Sequence, residues 1–303
     1  MAAGVAVEAR PQPRGARVSA ALWKRAWLRA SLVLTPPLAW FLVIYIASLV
    51  VLLVTAFWQI NPLTTQIVHT WTLDNFRQIL TSSTYRGIIL RTVGMAAAVT
   101  ATDVIVAIPF GYFMARVATP RMRSALFVLV LLPLWASYIA RVYAWILILN
   151  HDGVLNWTLL KVGLPRANIG YTNIAMWIVF CYVWLPFMII PVYAAFERVP
   201  HSFVEASLDL GAKSWRTTRR VLLPLALPGI VAGSIFTFSL TLGDYITPIL
   251  VGGAGSTFIG NVIYDNVGVA QNLPFAAAMA FVPIVIMAVY LLIARAMGAF
   301  EAL

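Results

Sequence analysis

Two aspartates, Asp103 and Asp244, lie within long apolar stretches of this 303-residue sequence. An ionisable group in such a stretch is costly to bury and faces a cavity, a partner residue or the path of an ion or solute. Asp103 precedes Arg116 by 13 residues, or roughly 20 Å of helix, and is therefore expected near the middle of the stretch. There it could attract an ammonium group. Alternatively, it could hydrogen-bond to a neighbouring helix or pair with Arg91 or Arg141.

Asp244 is expected near the outer end of its stretch, because it follows Pro224 by 20 residues, or roughly 30 Å of helix. Gly243 and Pro248 predict an interruption of the helix around it. Irregular backbone at membrane depth is tolerated only where protein covers it or where it lines a wet cavity. Broken helices also mark binding sites in transporters. We therefore favour a gate or path role for Asp244 and the adjacent Tyr245.

Aromatic side chains in the third apolar stretch could present their faces to a cation through cation–π attraction. They could equally be packing or interface residues. Arg141 lies among them and favours the opposite charge, because an unpaired cation would repel ammonium groups and attract an anion. An acidic partner would neutralise it, and the sequence does not identify one. The candidates are Trp135, Tyr138, Tyr143 and Trp145.

Transmembrane helices must position these residues. The composition is 62% hydrophobic and only 10% charged, which indicates a membrane protein with an all-α fold. A helix needs roughly 20 apolar residues to cross the hydrocarbon core. Six stretches meet this requirement, and we expect them to form one six-helix domain over residues 29–303. They are residues 31–57, 88–115, 125–149, 173–196, 226–250 and 275–298.

The distribution of Lys and Arg predicts that both termini are cytoplasmic, because these residues concentrate in cytoplasmic loops. They are frequent in residues 1–28, 116–124 and 197–223, and sparse in the segments between the other spans. We expect residues 1–28 to form a disordered cytoplasmic tail. The external segments 58–87 and 150–172 could form short surface helices. The net charge is +11, but the basic residues that produce it lie between apolar spans, so the charge does not indicate nucleic-acid binding.

The sequence lacks the common motifs of enzymes and metal sites. There is no Gly-x-x-x-x-Gly-Lys-Ser/Thr loop to bind nucleotide phosphates. His69, His151 and His201 are scattered over different loops, and Cys181 is the single cysteine. Neither a metal cluster nor a disulfide is therefore expected. We predict a protein that catalyses no chemistry and contains no cofactor.

The cytoplasmic loop over residues 197–223 has a pattern typical of a helix-turn-helix. Glu205–Leu210 predicts a short helix with small residues on one side, and Gly211 permits a left-handed cap. Residues 214–216 predict a second short helix, and Pro224 is expected to begin the fifth span. Such a rigid elbow is suited to the cleft of a partner protein. The alternative is an ordinary charged loop.

The same loop resembles the EAA loop of ABC importer permeases. That motif reads Glu-Ala-Ala, three residues, Gly, nine residues and Ile-x-Leu-Pro, and here Ser207 and Val221 are mild departures from it. The resemblance implies that the loop is a coupling helix inserted into an ATP-hydrolysing subunit, which would bind ATP and Mg. The residues to which it assigns this role are Glu205, Ala206, Ser207, Asp209, Leu210, Gly211, Ala212, Trp215 and Pro224.

Two further stretches resemble the spermidine/putrescine-type permeases. They are Leu132-Pro133-Leu134-Trp135 followed by Arg141-Val142-Tyr143-Ala144-Trp145, and Gly243-Asp244-Tyr245-Ile246-Thr247-Pro248 followed by Gly252-Gly253.

This resemblance implies the type I importer fold and a multi-pass location in the bacterial cytoplasmic (inner) membrane. It also implies a second permease subunit in a heterodimer, two ATPase subunits and an extracytoplasmic binding protein. The implied substrate is a polyamine. Another small amine, an opine or an anion stays open, as does a secondary transporter that works without an ATPase.

Overall fold

A computed structural model describes residues 26–61 and 63–296 of the chain. The tail expected over residues 1–28 lies outside this range up to residue 25. The chain divides into two units, Met1–Val54 and Thr55–Leu303. The first contributes helix α1, Ala26–Thr55, which contains Pro36 and Pro37 and corresponds to the first predicted span.

The second unit begins with a two-residue antiparallel pair, β1 (Gln59–Ile60) and β2 (Ile67–Val68), followed by helices. The helices are α2 (Asp74–Thr81), α3 (Ser83–Arg116), α4 (Pro120–Leu131), α5 (Tyr138–Leu149), α6 (Val154–Lys161), α7 (Asn173–Arg198), α8 (His201–Asp209), α9 (Ser214–Thr217), α10 (Leu223–Gly243), α11 (Ile246–Val251), α12 (Ile259–Gly268) and α13 (Leu273–Ala296).

The six predicted spans are all found, although the third differs in shape. Within the described ranges, five helices are long and apolar enough to cross a membrane, and a bent pair supplies the sixth. The expected single helix over 125–149 is wrong in this respect, because the helical segments Pro120–Trp135 and Tyr138–Lys161 are bent by 95° relative to each other. The 3-10 turn Leu132–Trp135 ends the first segment, and extended backbone at Ala136 follows it. Pro133 lies in this turn and lacks the amide that a continuous helix requires.

The fifth span starts earlier than expected. The prediction that Pro224 begins it is wrong, since the helix is continuous from Ser214 to Gly243. A π turn, Thr218–Leu222, joins α9 to α10, and Pro224 follows it in the first turn of α10. The predicted interruption near Asp244 is confirmed, because α10 ends at Gly243 and α11 begins two residues after Asp244.

Helices α3, α7 and α10 pack against one another and form the centre of the second unit. Gly229 allows α10 to approach α7 closely, since a Cβ atom at this position would lie 2.6 Å from the carbonyl oxygen of Pro191. One buried cluster, which includes Met114 and Phe196, lies where α3 and α7 end. Another, which includes Phe180 and Phe258, lies nearer the start of α7.

Short helices are found in both segments that were expected to be external, namely α2 and α6. Asn75 of α2 donates hydrogen bonds to the carbonyl oxygens of Ala56 and Trp58, at 2.9 and 2.8 Å, and so ties α2 to the chain that leads into β1. Helix α12 and the strand pair were not predicted. Both are short, and both lie in segments with no long apolar run.

Candidate functional site

The elbow that was predicted on the cytoplasmic side consists of α8, a left-handed residue and α9. Gly211 has φ +79°, a backbone conformation that residues other than glycine rarely adopt. Its amide donates to the carbonyl of Leu208 at 2.8 Å, and the amide of Ala212 donates to that of Ser207 at 3.1 Å. This pair of hydrogen bonds defines a Schellman cap, so the predicted helix end is confirmed. Ser207 and Thr217 then join the two helices through their hydroxyl groups at 3.0 Å.

Most of the elbow surface is exposed, including its large apolar residues. Leu210 is 89% exposed and Trp215 is 69% exposed. Glu205, Ala206 and Asp209 are also exposed, whereas Ser207 and Ala212 are half-buried. Large apolar side chains that are exposed on a protein surface are typical of a protein-protein contact. Pro224 lies apart from this surface, at the start of α10.

A second group of predicted residues meets where α10 breaks. Asp244 is buried, with 8% of its surface exposed. One carboxylate oxygen, Oδ1, accepts hydrogen bonds from the amides of Ile246 at 2.8 Å and Thr247 at 3.2 Å, and so caps α11. The other, Oδ2, accepts from the hydroxyl groups of Tyr138 and Thr247. Four donors therefore hold the carboxylate between α5 and α11.

An open cavity of about 300 Å³ lies beside this carboxylate. Tyr138 stacks on Trp184 with ring centroids 5.7 Å apart, and Tyr245 stacks on Tyr264 at 4.8 Å. These aromatic faces and one carboxylate suit a cation-bearing ligand. The lining residues are Tyr138, Trp184, Ser239, Leu240, Gly243, Asp244, Tyr245 and Ile246.

The sequence did not identify two members of this group. Trp184 lies in an apolar run of α7, where a tryptophan is indistinguishable from an ordinary packing residue. Thr247 belongs to the Gly243–Pro248 stretch, but the contact between its hydroxyl oxygen and that of Tyr138, at 2.6 Å, depends on the fold. Its position three residues after Asp244 was compatible with a helix cap and could have indicated this role.

Arg141 lies next to the carboxylate–aromatic group but makes no ion pair within the described part of the chain. Its guanidinium carbon is 5.9 Å from the centre of the Tyr138 ring. Two of its nitrogens, Nε and Nη1, are buried without a hydrogen-bond partner. Asp244 does not neutralise it directly, since the donors to Asp244 come from Tyr138, Ile246 and Thr247.

Asp103 is a residue of α3 whose side chain is fully buried against α7, away from the cavity. It is 0% exposed, and neither carboxylate oxygen accepts a hydrogen bond that meets normal geometry. The thiol of Cys181 interacts with it. Across residues 26–61 and 63–296, Asp103 pairs with neither arginine considered for it. Arg91 instead donates to the carbonyl oxygen of Gly255.

The other predicted aromatic residues do not join the cavity. Trp135 is 91% exposed, and Tyr143 is 51% exposed. Trp145 packs edge-on against Tyr182, with ring centroids 5.4 Å apart. No group of three or more His, Cys, Asp or Glu side chains is gathered as a metal site in the part of the chain that the structure describes.

Comparison with known proteins places this geometry in context. Residues 107–301 match the family described as binding-protein-dependent transport system inner membrane component. The inner membrane ABC transporter permease protein YdcU of Escherichia coli is 44% identical over 305 residues, covering 96% of this chain and 97% of that protein. The spermidine/putrescine transport system permease protein PotB of Haemophilus influenzae is 32% identical over 224 residues, covering 73% and 78%.

Solved structures share the fold. A bacterial alginate ABC transporter, crystallised with an alginate pentasaccharide-bound periplasmic protein, aligns with a TM-score of 0.75 at 20% identity. The alignment covers 94% of this chain and 98% of the matched chain. At this identity the likeness is informative about the fold and not about the substrate.

Proposed function

This chain belongs to the family of binding-protein-dependent transport system inner membrane components, and we propose that the substrate it transports is a polyamine. It is a multi-pass permease of an ABC importer in the bacterial inner membrane, and it is a transport subunit rather than an enzyme.

The cavity beside Asp244 carries the substrate proposal. A polyamine has ammonium groups separated by short methylene chains. A carboxylate would attract an ammonium group, while the faces of Tyr138, Trp184 and Tyr245 would contact the cation and the methylene groups. The similarity to PotB, whose name gives spermidine and putrescine as its substrates, favours the same substrate class.

Uptake by the complete transporter tests this proposal. The chain would be reconstituted in proteoliposomes with its second permease, its ATPase subunits and its binding protein. We expect ATP-dependent accumulation of radiolabelled spermidine or putrescine. Absence of both would overturn the polyamine assignment. Flux that is driven by an ion gradient without any ATPase would instead support a secondary transporter.

We propose that the elbow formed by α8, Gly211 and α9 docks the ATPase. The Ser207–Thr217 contact ties its two helices together, and the elbow exposes Leu210 and Trp215. The acidic Glu205 and Asp209 and the basic Lys213 and Arg216 are exposed on it as well. An ATPase cleft with apolar walls and a rim of both charges would fit this surface. ATP-driven closure of two such ATPases would then move the elbow and switch access to the cavity between the two sides of the membrane.

Arg141 supports a second candidate, a substrate that carries a carboxylate or another anion. Two nitrogens of its guanidinium lack a hydrogen-bond partner, and they lie beside Tyr138. A substrate with both amine and carboxylate groups could contact Asp244 and Arg141 together. Competition assays separate the two candidates. A polyamine transporter would lose its uptake of labelled polyamine when unlabelled spermidine is in excess. A transporter of the second class would lose its uptake when an amino-acid-like competitor is in excess.

A further inference from the structure

We propose that Arg116 and Arg123 form a joint that fixes the N-terminal end of the cytoplasmic elbow to α3, α4 and α7. Movement of the elbow would then be transmitted to these three helices rather than absorbed at the corner before α8. The inference rests on the proposed docking of an ATPase at the elbow. It assigns positioning roles to two arginines that the coupling motif does not include.

Arg116, the last residue of α3, contacts the corner between α7 and α8. Its Nη2 donates hydrogen bonds to the carbonyl oxygens of Phe196 at 2.8 Å and Val199 at 2.5 Å. Its Nη1 lies 3.5 Å from Nδ1 of His201, the first residue of α8. A single guanidinium therefore binds the end of α7 and reaches the start of the elbow.

Arg123 of α4 makes the corresponding contacts from the other side. Its Nε donates to the carbonyl of Met114 at 3.0 Å, and its Nη2 donates to that of Ala115 at 3.1 Å, so it caps the end of α3. Its Nη1 pairs with Glu197 of α7 at 3.2 Å. Tyr193 also donates a hydrogen bond to Glu197 at 2.7 Å.

These contacts are suited to carrying force. Cations at helix C-termini interact favourably with the helix dipole, and hydrogen bonds from charged donors are stronger than neutral ones. The carbonyl groups belong to a packed part of the protein, since Phe196 and Met114 are 0% exposed and Val199 is 6% exposed. A planar guanidinium can bind two carbonyl groups at fixed separation, which a lysine ammonium does less well.

The other end of the elbow has a different construction. There α9 continues through the π turn Thr218–Leu222 into α10, one of the central helices. The Ser207–Thr217 contact joins α8 to this continuous helix across Gly211, whose φ is positive. We infer that the Arg116 corner couples the elbow to α3 and α7, while the continuous helix couples it to α10.

An ordinary explanation is that these arginines only obey the tendency of positive charge to remain in the cytoplasm. Arg121 provides the matched comparison. It lies on α4 two residues before Arg123, is exposed, and makes no ion pair or side-chain hydrogen bond among the residues that the structure describes. If charge alone mattered, Arg116, Arg121 and Arg123 would be equivalent.

The experiment uses the complete transporter in proteoliposomes and measures whether ATP changes access to the cavity. A cysteine introduced by Ser239→Cys, in a Cys181→Ala background, lines the cavity and can be labelled with a small thiol reagent. Labelling rates would be compared with and without ATP for Arg116→Lys, Arg123→Lys and Arg121→Lys. Co-purification of the ATPase and the melting temperature would be measured on the same samples.

We expect all three variants to retain the ATPase and to melt close to the parent protein. The ATP-dependent change in labelling rate is expected to fall about tenfold in Arg116→Lys, by a smaller factor in Arg123→Lys, and not at all in Arg121→Lys. A full ATP response in Arg116→Lys would overturn the inference. So would loss of the ATPase from Arg116→Lys, because the arginine would then shape the docking surface. A parent protein that retains no ATPase would instead overturn the proposed docking function.

Discussion

The hydroxyl group of Tyr138 donates a hydrogen bond to the carboxylate of Asp244, across 106 residues of sequence. This contact joins the N-terminal end of α5, just after the 95° bend, to the break between α10 and α11. Two interrupted spans are therefore connected at the wall of one cavity. A movement at the bend before α5 would therefore be transmitted through this hydrogen bond to the break between α10 and α11, and the reverse.

Replacement of Tyr138 by phenylalanine tests this connection. Tyr138→Phe preserves the stack on Trp184 but removes a donor from a buried carboxylate, which typically costs about 1–3 kcal/mol. We expect ATP-dependent uptake to fall about tenfold while the complex still assembles. Tyr143→Phe is the control, because Tyr143 is 51% exposed and lies outside the cavity. Equal uptake by the two variants would contradict a role for the Tyr138–Asp244 contact.

The two buried aspartates are expected to respond differently to the same substitution. Asp244→Asn should reduce polyamine uptake by about tenfold or more, because Asp244 lines the cavity and its charge would attract the cation. Asp103→Asn should leave uptake within about twofold, because its side chain is 0% exposed and lies away from the cavity. Radiolabelled uptake at matched expression measures both. Loss of uptake in a well-assembled Asp103→Asn transporter would place Asp103 on the path.

The left-handed residue of the elbow can be tested with a matched glycine. Gly211→Ala forces a Cβ atom into a backbone with φ +79°, at a cost of about 1 kcal/mol, and Gly211→Pro should remove the cap altogether. We expect weaker co-purification of the ATPase with alanine and its loss with proline. Gly163→Ala is the control, since Gly163 has φ +78° and follows α6 in the segment that was expected to be external. If both alanine variants bind the ATPase equally, strain at the elbow does not matter for docking.

The close approach of α7 and α10 predicts a difference between two helical glycines. Gly229→Ala should destabilise the protein by about 1–3 kcal/mol, because the new methyl group would meet the Pro191 carbonyl at 2.6 Å. Gly94→Ala on α3 has nothing within 4 Å and should be neutral or stabilise by up to about 1 kcal/mol. Thermal unfolding in detergent gives both values. A stabilising Gly229→Ala would show that the two helices can move apart at little cost.

Local sequence patterns predicted much of the fold. The apolar runs located the spans, Gly211 indicated a left-handed cap, and Gly243 indicated a break, because each depends on neighbouring residues. The bend between α4 and α5 was missed, since hydropathy gives the length of an apolar run and not its direction.

Contacts between distant residues could not be predicted in the same way. The stack of Trp184 on Tyr138 and the Arg116 contact with Val199 each join helices whose packing the sequence does not encode locally. The sequence placed Asp103 and Asp244 at different depths and favoured a path role only for Asp244, but it left open whether Asp103 also faces the substrate. Only the fold separates them, since one is enclosed between two helices and the other borders a cavity.

The π turn at Thr218–Leu222 sets the rotational alignment between the cytoplasmic elbow and the span that follows it. A π turn contains one residue more than an α-helical turn, and each residue of an α-helix advances the chain by about 100°. Deletion of a single residue within this turn would convert it to regular helix and largely keep the alignment, whereas deletion from the regular helix before it would rotate the contact faces of the elbow by about that angle. The part of the nine-residue spacing after Gly211 that precedes the π turn is thus an angular constraint, and an insertion or deletion there would misdirect the elbow without altering the residues that it presents.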